Sequence, residues 1–270
     1  MNLLKRLVTR LAHGEVSRLD DLYQRHAGEE CYLFGDGISL KWMDLTQFTD
    51  RVSMMGPMGL FHKEASALRI PYYALIEPFL FYPLTPVFGG GHFTVVRLDF
   101  SKEHCKLIAQ NPQTTFFVNL SNYPVVRFSN ALFVSRWYKP PATTGNPFRD
   151  RVDAYRGTLA FQLSMAIYLG FKKAYLVGHD YTHFPSRGPH FYEKGRGVFG
   201  DHRRFCQDLI DYAKQHIDLV TVTLDGTSES MNYITYEDLT GREPIFRENV
   251  DIVDRDKLES LARWSGYSIF

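Results

Sequence analysis

The sequence predicts an α/β fold of the doubly wound, mainly parallel (Rossmann-like) class, with a lid-like loop region and an N-terminal helical extension. The first observation is a short strand-like run, 31–34, that ends in the glycine turn Gly35-Asp-Gly37. The second is the order helix, short loop and buried strand over 157–178, which is half of a parallel βαβ unit. Strands that alternate with helices along the chain favour a parallel sheet covered on both faces.

Short β-rich segments predict the strands, and longer periodic segments predict the helices between them. The predicted strands are 31–34, 51–55, 71–76, 114–120, 131–134, 173–178 and 219–224. The predicted helices are 101–110, a stripe from Leu159 to Gly170, 201–216 and 254–264. Three segments, 79–93, 140–147 and 179–200, carry proline, glycine or scattered polar residues and are predicted to lack regular structure.

The chain is predicted to contain an amphipathic helical extension, 1–29, followed by one Rossmann-like domain, 30–270, with a lid segment at about 179–200. Within the extension, two helices are expected to break near Gly14, with Ser17 capping the second. Residues 1–12 place leucine and valine on one helical face and basic side chains elsewhere. Such a helix either docks on the domain or a partner chain, or lies on an anionic membrane surface.

Composition excludes several classes of protein. The 270 residues include 31 basic and 30 acidic side chains, so a net charge of +1 gives no field that would attract nucleic acid. Three cysteines without C-x-x-C spacing support neither a zinc site nor a disulfide framework, and they are typical of a reducing compartment. The sequence has no Gly-x-Ser-x-Gly elbow of the common hydrolases and no apolar run of about 18 residues that would span a membrane.

Three segments suited to ligand binding lie at the ends of predicted elements. Segments 35–39 and 178–181 lie at the ends of strands, and Gly157–Thr158 lies at the start of a helix. Ligands of doubly wound sheets bind outside the carboxyl ends of the strands, so we expect these segments to converge on one crevice. Backbone amides of a glycine turn and of a helix start can face an anion such as a phosphate. The sequence therefore predicts a nucleotide-binding crevice.

Two motif blocks narrow this prediction. The first is Gly35-Asp-Gly-Ile-Ser-Leu-Lys41, and the second, 157–181, combines a helix start, a helix and a strand that ends in Gly-His-Asp-Tyr. In order and approximate separation they resemble the Gly-Asn-Gly-Pro-Ser-Leu-Lys and Gly-x-Asp-Phe/Tyr blocks of bacterial lipooligosaccharide sialyltransferases and their surface-glycan relatives. Here Asp36 replaces one asparagine of that family, and Gly56 and Glu77 stand near two others.

The resemblance implies an inverting, metal-independent glycosyltransferase that moves a nonulosonic acid such as sialic acid from a CMP-activated donor. It implies no separate cofactor, and a glycan or lipid-linked acceptor at the bacterial surface. Tyr181 is implied to assist the departing phosphate. The residues implied to face the donor are Gly35, Asp36, Gly37, Ser39, Gly157, Thr158, Gly178 and Asp180. No Asp-x-Asp pair occurs in these segments, in agreement with chemistry that needs no metal.

An inverting transfer needs a base for the acceptor hydroxyl and stabilisation of the leaving phosphate. The resemblance implies a histidine base in the segment that follows the second block. His190 is our first choice because it lies just beyond the carboxyl end of a predicted strand, and His183 and His202 are alternatives. Tyr192 is a further candidate catalytic phenol, and Arg187 a candidate contact of the phosphate.

Two other function classes stay open at this point. One is a nucleotide-dependent phosphotransferase on the same fold, and the other is a non-catalytic member that binds nucleotide or glycan. We expect a cytoplasmic protein, with the inner face of the cytoplasmic membrane as the alternative location if residues 1–12 bind lipid. A monomer and a homo-oligomer both remain open.

Overall fold

The centre of the structure is a parallel sheet of eight strands, which confirms the predicted α/β, mainly parallel Rossmann-like class. The computed structural model describes residues 12–82, 97–136, 154–200, 207–264 and 267–270, together with Arg10 and Pro147. The strands are β1 (Glu30–Phe34), β2 (Val52–Met55), β3 (Tyr72–Leu75), β4 (Thr115–Asn119), β5 (Ala131–Val134), β6 (Lys173–Val177), β7 (Ser186–Gly188), β8 (Val198–Gly200), β9 (Asp218–Thr223) and β10 (Asn232–Thr235). Strands β7 and β8 form a separate antiparallel hairpin.

The α-helices lie before, between and after these strands. They are α1 (His13–Val16), α2 (Arg97–Gln110), α3 (Thr158–Leu169), α4 (Gln207–Ala213), α5 (Tyr236–Thr240), α6 (Asn249–Ile252) and α7 (Arg255–Trp264). Short 3-10 helices cover Ser17–Leu22, Ile38–Trp42, Leu45–Gln47, Gly59–Phe61, Lys63–Ala67, Leu120–Asn122 and Asp180–Thr182. In the described part of the chain, none of these helices has both the length and the apolarity to cross a bilayer.

The order of strands reverses on the two sides of β1. From β1 the chain adds β2, β3, β4 and β5 on one side, and then places β6, β9 and β10 outward on the other. Leu33 of β1 lies opposite Met54 of β2 and Leu176 of β6. A crevice opens at the carboxyl ends of the strands where the order reverses, so β1 and β6 position the candidate site.

Alternate side chains of the sheet enter two apolar layers, one on each face. In β1, Tyr32 and Phe34 belong to one layer, and Cys31 and Leu33 belong to the other. Helices α2 and α7 cover the first layer, and helices α3 and α4 cover the second. All residues of α3 after the first are buried, which explains its strongly apolar sequence. The burial of both faces makes this sheet doubly wound.

Most of the predicted elements are confirmed to within one or two residues. The predicted strands correspond to β1–β6 and β9, and the stripe from Leu159 ends at Gly170, which adopts the left-handed conformation (φ 86°) of a helix C-cap. Helix α2 begins four residues earlier than predicted, at Arg97. The elements β10, α5 and α6 are not among those predicted from the sequence. β10 is an edge strand with half-exposed and exposed side chains, so no apolar run marks it.

The N-terminal extension differs from its prediction. Helix α1 runs through Gly14 instead of breaking there, and Ser17 begins a 3-10 helix without capping it through its side chain. Leu19 and Leu22 are buried, and Arg18 donates a hydrogen bond to the carbonyl of Ala131 in the edge strand β5. The described part of the extension therefore docks on the sheet. Residues 1–9 and 11 lie outside the described residues, so membrane contact through residues 1–12 stays a prediction.

The segment 179–200, predicted as one irregular loop, contains the β7–β8 hairpin. Arg187 lies opposite Phe199, and the residues between the two strands include the buried Phe191. The backbone of Phe191 donates a hydrogen bond to the carbonyl of Asp36, and that of Lys194 donates to Ser268. The hairpin connection is thus bound to the glycine turn after β1 and to the chain terminus. A lid movement of this segment stays a prediction.

Candidate functional site

A cleft of about 180 Å³ lies at the carboxyl ends of β1 and β6, and we call it the central cleft. Its lining residues are Gly35, Asp36, Gly37, Gly157, Thr158, Leu159, Gly178, His179, Tyr181 and His190. The glycine turn, the start of α3 and the exit of β6 therefore meet at one place, as the sequence predicted. Typical ligand pockets hold about 300–1,000 Å³, so a sugar or phosphate fits within these walls and a nucleotide sugar extends beyond them.

The two glycines of the turn allow the ends of β1 and β6 to touch. The amide of Gly35 donates to the carbonyl of Val177, and that of Gly37 donates to Gly178, each at 2.8 Å. A Cβ on Gly35 or on Gly37 would lie 2.5 Å from the carbonyl oxygen of Gly178. A glycine turn at this place can leave room for a close ligand. The missing side chains of these two glycines instead make room for the neighbouring strand exit.

Ser39 and Asp180 bind each other beneath this turn. Asp180 accepts hydrogen bonds from the backbone amide of Ser39 at 2.8 Å and from its hydroxyl at 2.5 Å. Both residues are buried, and neither lines the central cleft. The structure therefore joins these two predicted donor-binding residues to one another. Their evident effect is to fix the glycine turn against the exit of β6.

The N-terminus of α3 faces the central cleft through Gly157 and Thr158. The first backbone amides of a helix have no intrahelical partner, and they carry the positive end of the helix dipole. This end therefore favours an anion by roughly 0.3–1 kcal/mol at an exposed position. A phosphate is a suitable occupant of this wall.

His190 also lines the central cleft, and Glu193 orients it. The imidazole Nδ1 lies 2.8 Å from Oε1 of Glu193, and the ring stacks on Tyr192 at a centroid distance of 5.0 Å. Glu193 is buried, and its other oxygen accepts from the backbone amide of Ser268. With the hydrogen bond donated from Nδ1–H to Glu193, the lone pair of the imidazole lies on Nε2. This pairing matches the way a carboxylate orients a catalytic base.

His179 also lines the central cleft, although no local sequence pattern marks it as a site residue. The amide nitrogen of Gln162 donates to the carbonyls of Phe34 and Met54, so its oxygen faces His179 Nε2 at 2.9 Å. His179 Nε2 must then carry the proton, and Nδ1 is an acceptor beside Gly35. Burial, and to a smaller extent the neighbouring His183, lower the pKa of His179 to about 3. His179 is therefore a neutral hydrogen-bond acceptor. Only the packing of α3 against β1 and β6 shows this role.

Asp36 lines the central cleft, and the pKa of its carboxyl group is raised. Burial, and then the nearby carboxylate of Glu77, raise the pKa of Asp36 to about 7, although a backbone hydrogen bond from Met58 opposes the shift. Its buried Oδ1 accepts no hydrogen bond from the described residues. Near neutral pH this carboxyl is therefore protonated in a large fraction of molecules. The described residues contain no cluster of three or more side chains suited to hold a metal ion.

The two predicted catalytic tyrosines occupy different positions. Tyr181 lines the central cleft and is 46% exposed, and burial and the charge of Asp180 raise its pKa. Its phenol is therefore neutral and able to donate a hydrogen bond at pH 7. Tyr192 is buried beneath the ring of His190 and hydrogen-bonds with Tyr267. The structure brings Tyr181 into the cleft and uses Tyr192 to support His190.

Arg187 and one alternative histidine, His183, lie away from the central cleft. Arg187 lines a separate cavity on the β7–β8 hairpin. The side chain of His183, which is 9% exposed, lies beside Asp180, and this partial burial lowers its pKa. It does not line the cleft. His202 lies outside the described residues. Of the two described histidine candidates for the base, His190 lines the central cleft and His183 does not.

The chain has a distant structural likeness to a protein of known structure. The MAf glycosyltransferase from Magnetospirillum magneticum AMB-1 matches it with 13% sequence identity and a TM-score of 0.39. The match covers 92% of this chain and 40% of that chain, so this chain spans well under half the length of that protein. No family model and no curated protein matches the sequence. A likeness at this level does not identify an activity.

Proposed function

We propose that the chain is a glycosyltransferase that binds a nucleotide-sugar donor in the central cleft and deprotonates its acceptor with His190. The observation that carries the proposal is the pairing of two walls. One wall is the N-terminus of α3, suited to a phosphate, and the other is a histidine oriented by a buried carboxylate. A site for an anionic leaving group and a base in one cleft are what a glycosyl transfer requires.

In the proposed reaction, Nε2 of His190 takes the proton of an acceptor hydroxyl. The acceptor oxygen attacks the anomeric carbon of the donor, and the bond from that carbon to the phosphate oxygen breaks. The bonding electrons leave with the nucleotide phosphate, which the amides at Thr158 and the phenol of Tyr181 stabilise. Attack opposite to the leaving group inverts the anomeric centre. Glu193 stabilises the imidazolium that forms.

We further propose a CMP-activated nonulosonic acid as the donor, without a metal ion. The sequence resemblance to the sialyltransferases suggests this class, and the state of Asp36 removes one difficulty. An ionised carboxylate would repel the phosphate, but a carboxyl with a pKa of about 7 can be protonated and donate a hydrogen bond. It would then act as the amide of an asparagine does. The acceptor would be a glycan or lipid-linked glycan.

In the first test, the full chain is titrated with CMP, UMP, GMP and AMP, and binding is measured by calorimetry and by the shift in thermal unfolding. We expect a selective response to CMP. A panel of CMP-sugars then tests donor hydrolysis and transfer. His190→Asn should lower transfer by about 10²–10⁴-fold, the usual contribution of a positioned base, and leave CMP affinity unchanged. His216→Asn, at an exposed position after α4, is the matched control. Absence of nucleotide binding, or full activity of His190→Asn, would refute the proposal.

A phosphotransferase is the second candidate, and the pair Asp36 and Glu77 favours it. Asp36 lines the cleft together with the start of α3, and the charge of Glu77 acts on it; neighbouring carboxylates are ligands that Mg²⁺ accepts. This alternative predicts nucleotide turnover that depends on Mg²⁺ and is abolished by EDTA. The glycosyltransferase proposal predicts transfer that EDTA leaves unchanged. Assays with and without EDTA therefore separate the two.

A further inference from the structure

Arg187 lines a second cavity, of about 360 Å³, that we call the arginine cleft. Trp42, Arg187, Arg196, Phe199, Asp225 and Pro244 are among its lining residues. The guanidinium of Arg187 lies between two aromatic rings, 4.7 Å from the ring centroid of Trp42 and 4.4 Å from that of Phe199. The volume of the arginine cleft is within the range of ligand-binding pockets.

The aromatic and cationic groups form one continuous stack. Trp42 packs against Phe246 with ring centroids 4.8 Å apart, and the guanidinium of Arg196 lies 4.1 Å from the centroid of Phe246. The two arginines are thus held through the faces of their guanidinium groups by Phe199, Trp42 and Phe246. Stacking of this kind uses the planar face and leaves the in-plane N–H donors for other acceptors.

The donors of Arg187 have no hydrogen-bond acceptor among the described residues. The nearest carboxylate oxygen is that of Asp225, at 3.9 Å, which is beyond hydrogen-bond distance. The side chain of Arg187 is only 14% exposed, whereas that of Asp225 is 74% exposed. An oxyanion in this cavity could therefore accept charge-assisted hydrogen bonds that Asp225 does not make with this guanidinium.

We propose that the arginine cleft binds the anionic group of an acidic sugar, either a sugar phosphate or a sugar carboxylate. The guanidinium fork of Arg187 matches two oxygens of either group, and Arg196 adds a second positive charge. Phe199 is 59% exposed and offers an apolar ring face against which the carbon face of a sugar can pack. Charge and apolar surface together distinguish an acidic sugar from a free ion.

The role of this sugar rests on the proposed function. Arg187 belongs to the same hairpin segment as His190, whose backbone bridges to Gly37 in the central cleft. An acidic residue of the acceptor glycan, held by Arg187, would then anchor the acceptor away from its reacting hydroxyl. Binding energy from such remote parts of a substrate contributes to its orientation. The arginine cleft would be the acceptor subsite.

To test this proposal, the full chain is titrated with glucose 1-phosphate, glucuronic acid and uncharged glucose. Binding of each probe is measured by NMR and calorimetry. We expect one or both acidic probes to bind, and glucose to bind at least about tenfold more weakly. Arg187→Gln should lower the affinity for the acidic probe about tenfold or more, and Arg187→Lys should retain part of that affinity. Phe199→Ser changes an exposed side chain and tests the apolar contact without disturbing the core. Arg255→Gln, an exposed arginine of α7, is the charge-matched control.

Comparison of the two acidic probes shows whether the arginine cleft prefers a phosphate or a carboxylate. Failure of both to bind, or equal binding by Arg187→Gln, overturns the proposal. CMP binding to Arg187→Gln is measured in parallel and should match wild type, since Arg187 does not line the central cleft. If the acidic sugar binds through Arg187 and CMP does not bind at all, the arginine cleft stands and the proposed glycosyltransferase function fails.

Discussion

Nδ1 of His190 donates a hydrogen bond to Oε1 of Glu193 over 2.8 Å, and the other carboxylate oxygen accepts one from the backbone amide of Ser268. Ser268 lies at the end of the chain, and Glu193 lies in the hairpin connection. The orientation of the candidate base thus depends on contact between two segments that are distant in sequence. That dependence makes the carboxylate a sharper target for mutation than the histidine.

Glu193→Gln should lower the rate of transfer by about 10²–10⁴-fold with little change in donor affinity. If the new amide nitrogen faces His190, it donates to Nδ1 and forces the proton onto Nε2, which then cannot act as a base. If it faces Ser268 instead, two donors oppose each other. Steady-state kinetics should show a loss in kcat with the Kd for CMP preserved. Glu237→Gln, on the exposed face of α5, is the control, and a rate unchanged from wild type in Glu193→Gln would contradict the role of Glu193.

Asp36→Asn should change the pH dependence of stability. Because the pKa of Asp36 is raised to about 7, the folded chain binds this proton more tightly than the unfolded chain, whose aspartate has a pKa of about 3.9. The stabilising contribution of Asp36 is therefore complete below about pH 4 and is lost as pH rises through 7. Relative to wild type, the variant should be similar at pH 4 and more stable at pH 8 by about 2–4 kcal/mol.

Urea unfolding at pH 4, 6 and 8 measures this difference. Asp211→Asn, at an exposed position of α4, should show no such dependence. A stability difference between wild type and Asp36→Asn that stays constant from pH 4 to 8 would mean that the two states of the chain bind the Asp36 proton equally well. The same variant should bind CMP more tightly than wild type at pH 8, since it removes a negative charge from the cleft.

Ser39→Ala should destabilise the fold by about 1–3 kcal/mol, because it leaves one buried oxygen of Asp180 without its hydroxyl donor. Denaturant unfolding gives this free energy directly. Ser66→Ala removes an exposed hydroxyl that donates to a carbonyl three residues earlier, and it should have little effect. Similar losses in the two variants would show that the Ser39–Asp180 contact does not stabilise the strand exits.

Gly37→Ala should be destabilising by about 1–3 kcal/mol or more, since its Cβ would lie 2.5 Å from the carbonyl oxygen of Gly178. Separation of the two strand exits should also weaken CMP binding. Gly14→Ala is the matched control because a Cβ there meets no atom within 4 Å. Thermal unfolding and CMP titration of both variants check the expectation. Equal stability of Gly37→Ala and wild type would show that the exits of β1 and β6 separate without cost.

The architecture could be predicted because local sequence signals mark it. Buried strands such as β1 and β6 are continuous apolar runs, and Gly170 marks the end of α3. The strands of the β7–β8 hairpin are three residues long and partly exposed, so no periodicity reveals them. The convergence of the three cleft segments followed from the rule that ligands bind at the carboxyl ends of parallel strands.

The chemistry inside the cleft could be predicted only in part. His190 was selected by its place after a strand, but its partner Glu193 and the burial of Tyr192 depend on how the hairpin connection packs. The pairing of Ser39 with Asp180 joins residues 141 positions apart, a separation that no local pattern encodes. The tautomer of His179 is set by Gln162, which is recognisable only once α3 lies on the sheet.

The position of β1 between β2 and β6 has a consequence for synthesis of the chain. One edge of β1 pairs with a strand that begins at Val52, but its other edge waits for a strand that begins at Lys173. Until the ribosome has released that later strand, the backbone groups along one side of β1 have no strand to pair with, and such an open edge is prone to pair with other chains. The nascent protein therefore passes through a long interval in which its central strand is vulnerable to aggregation.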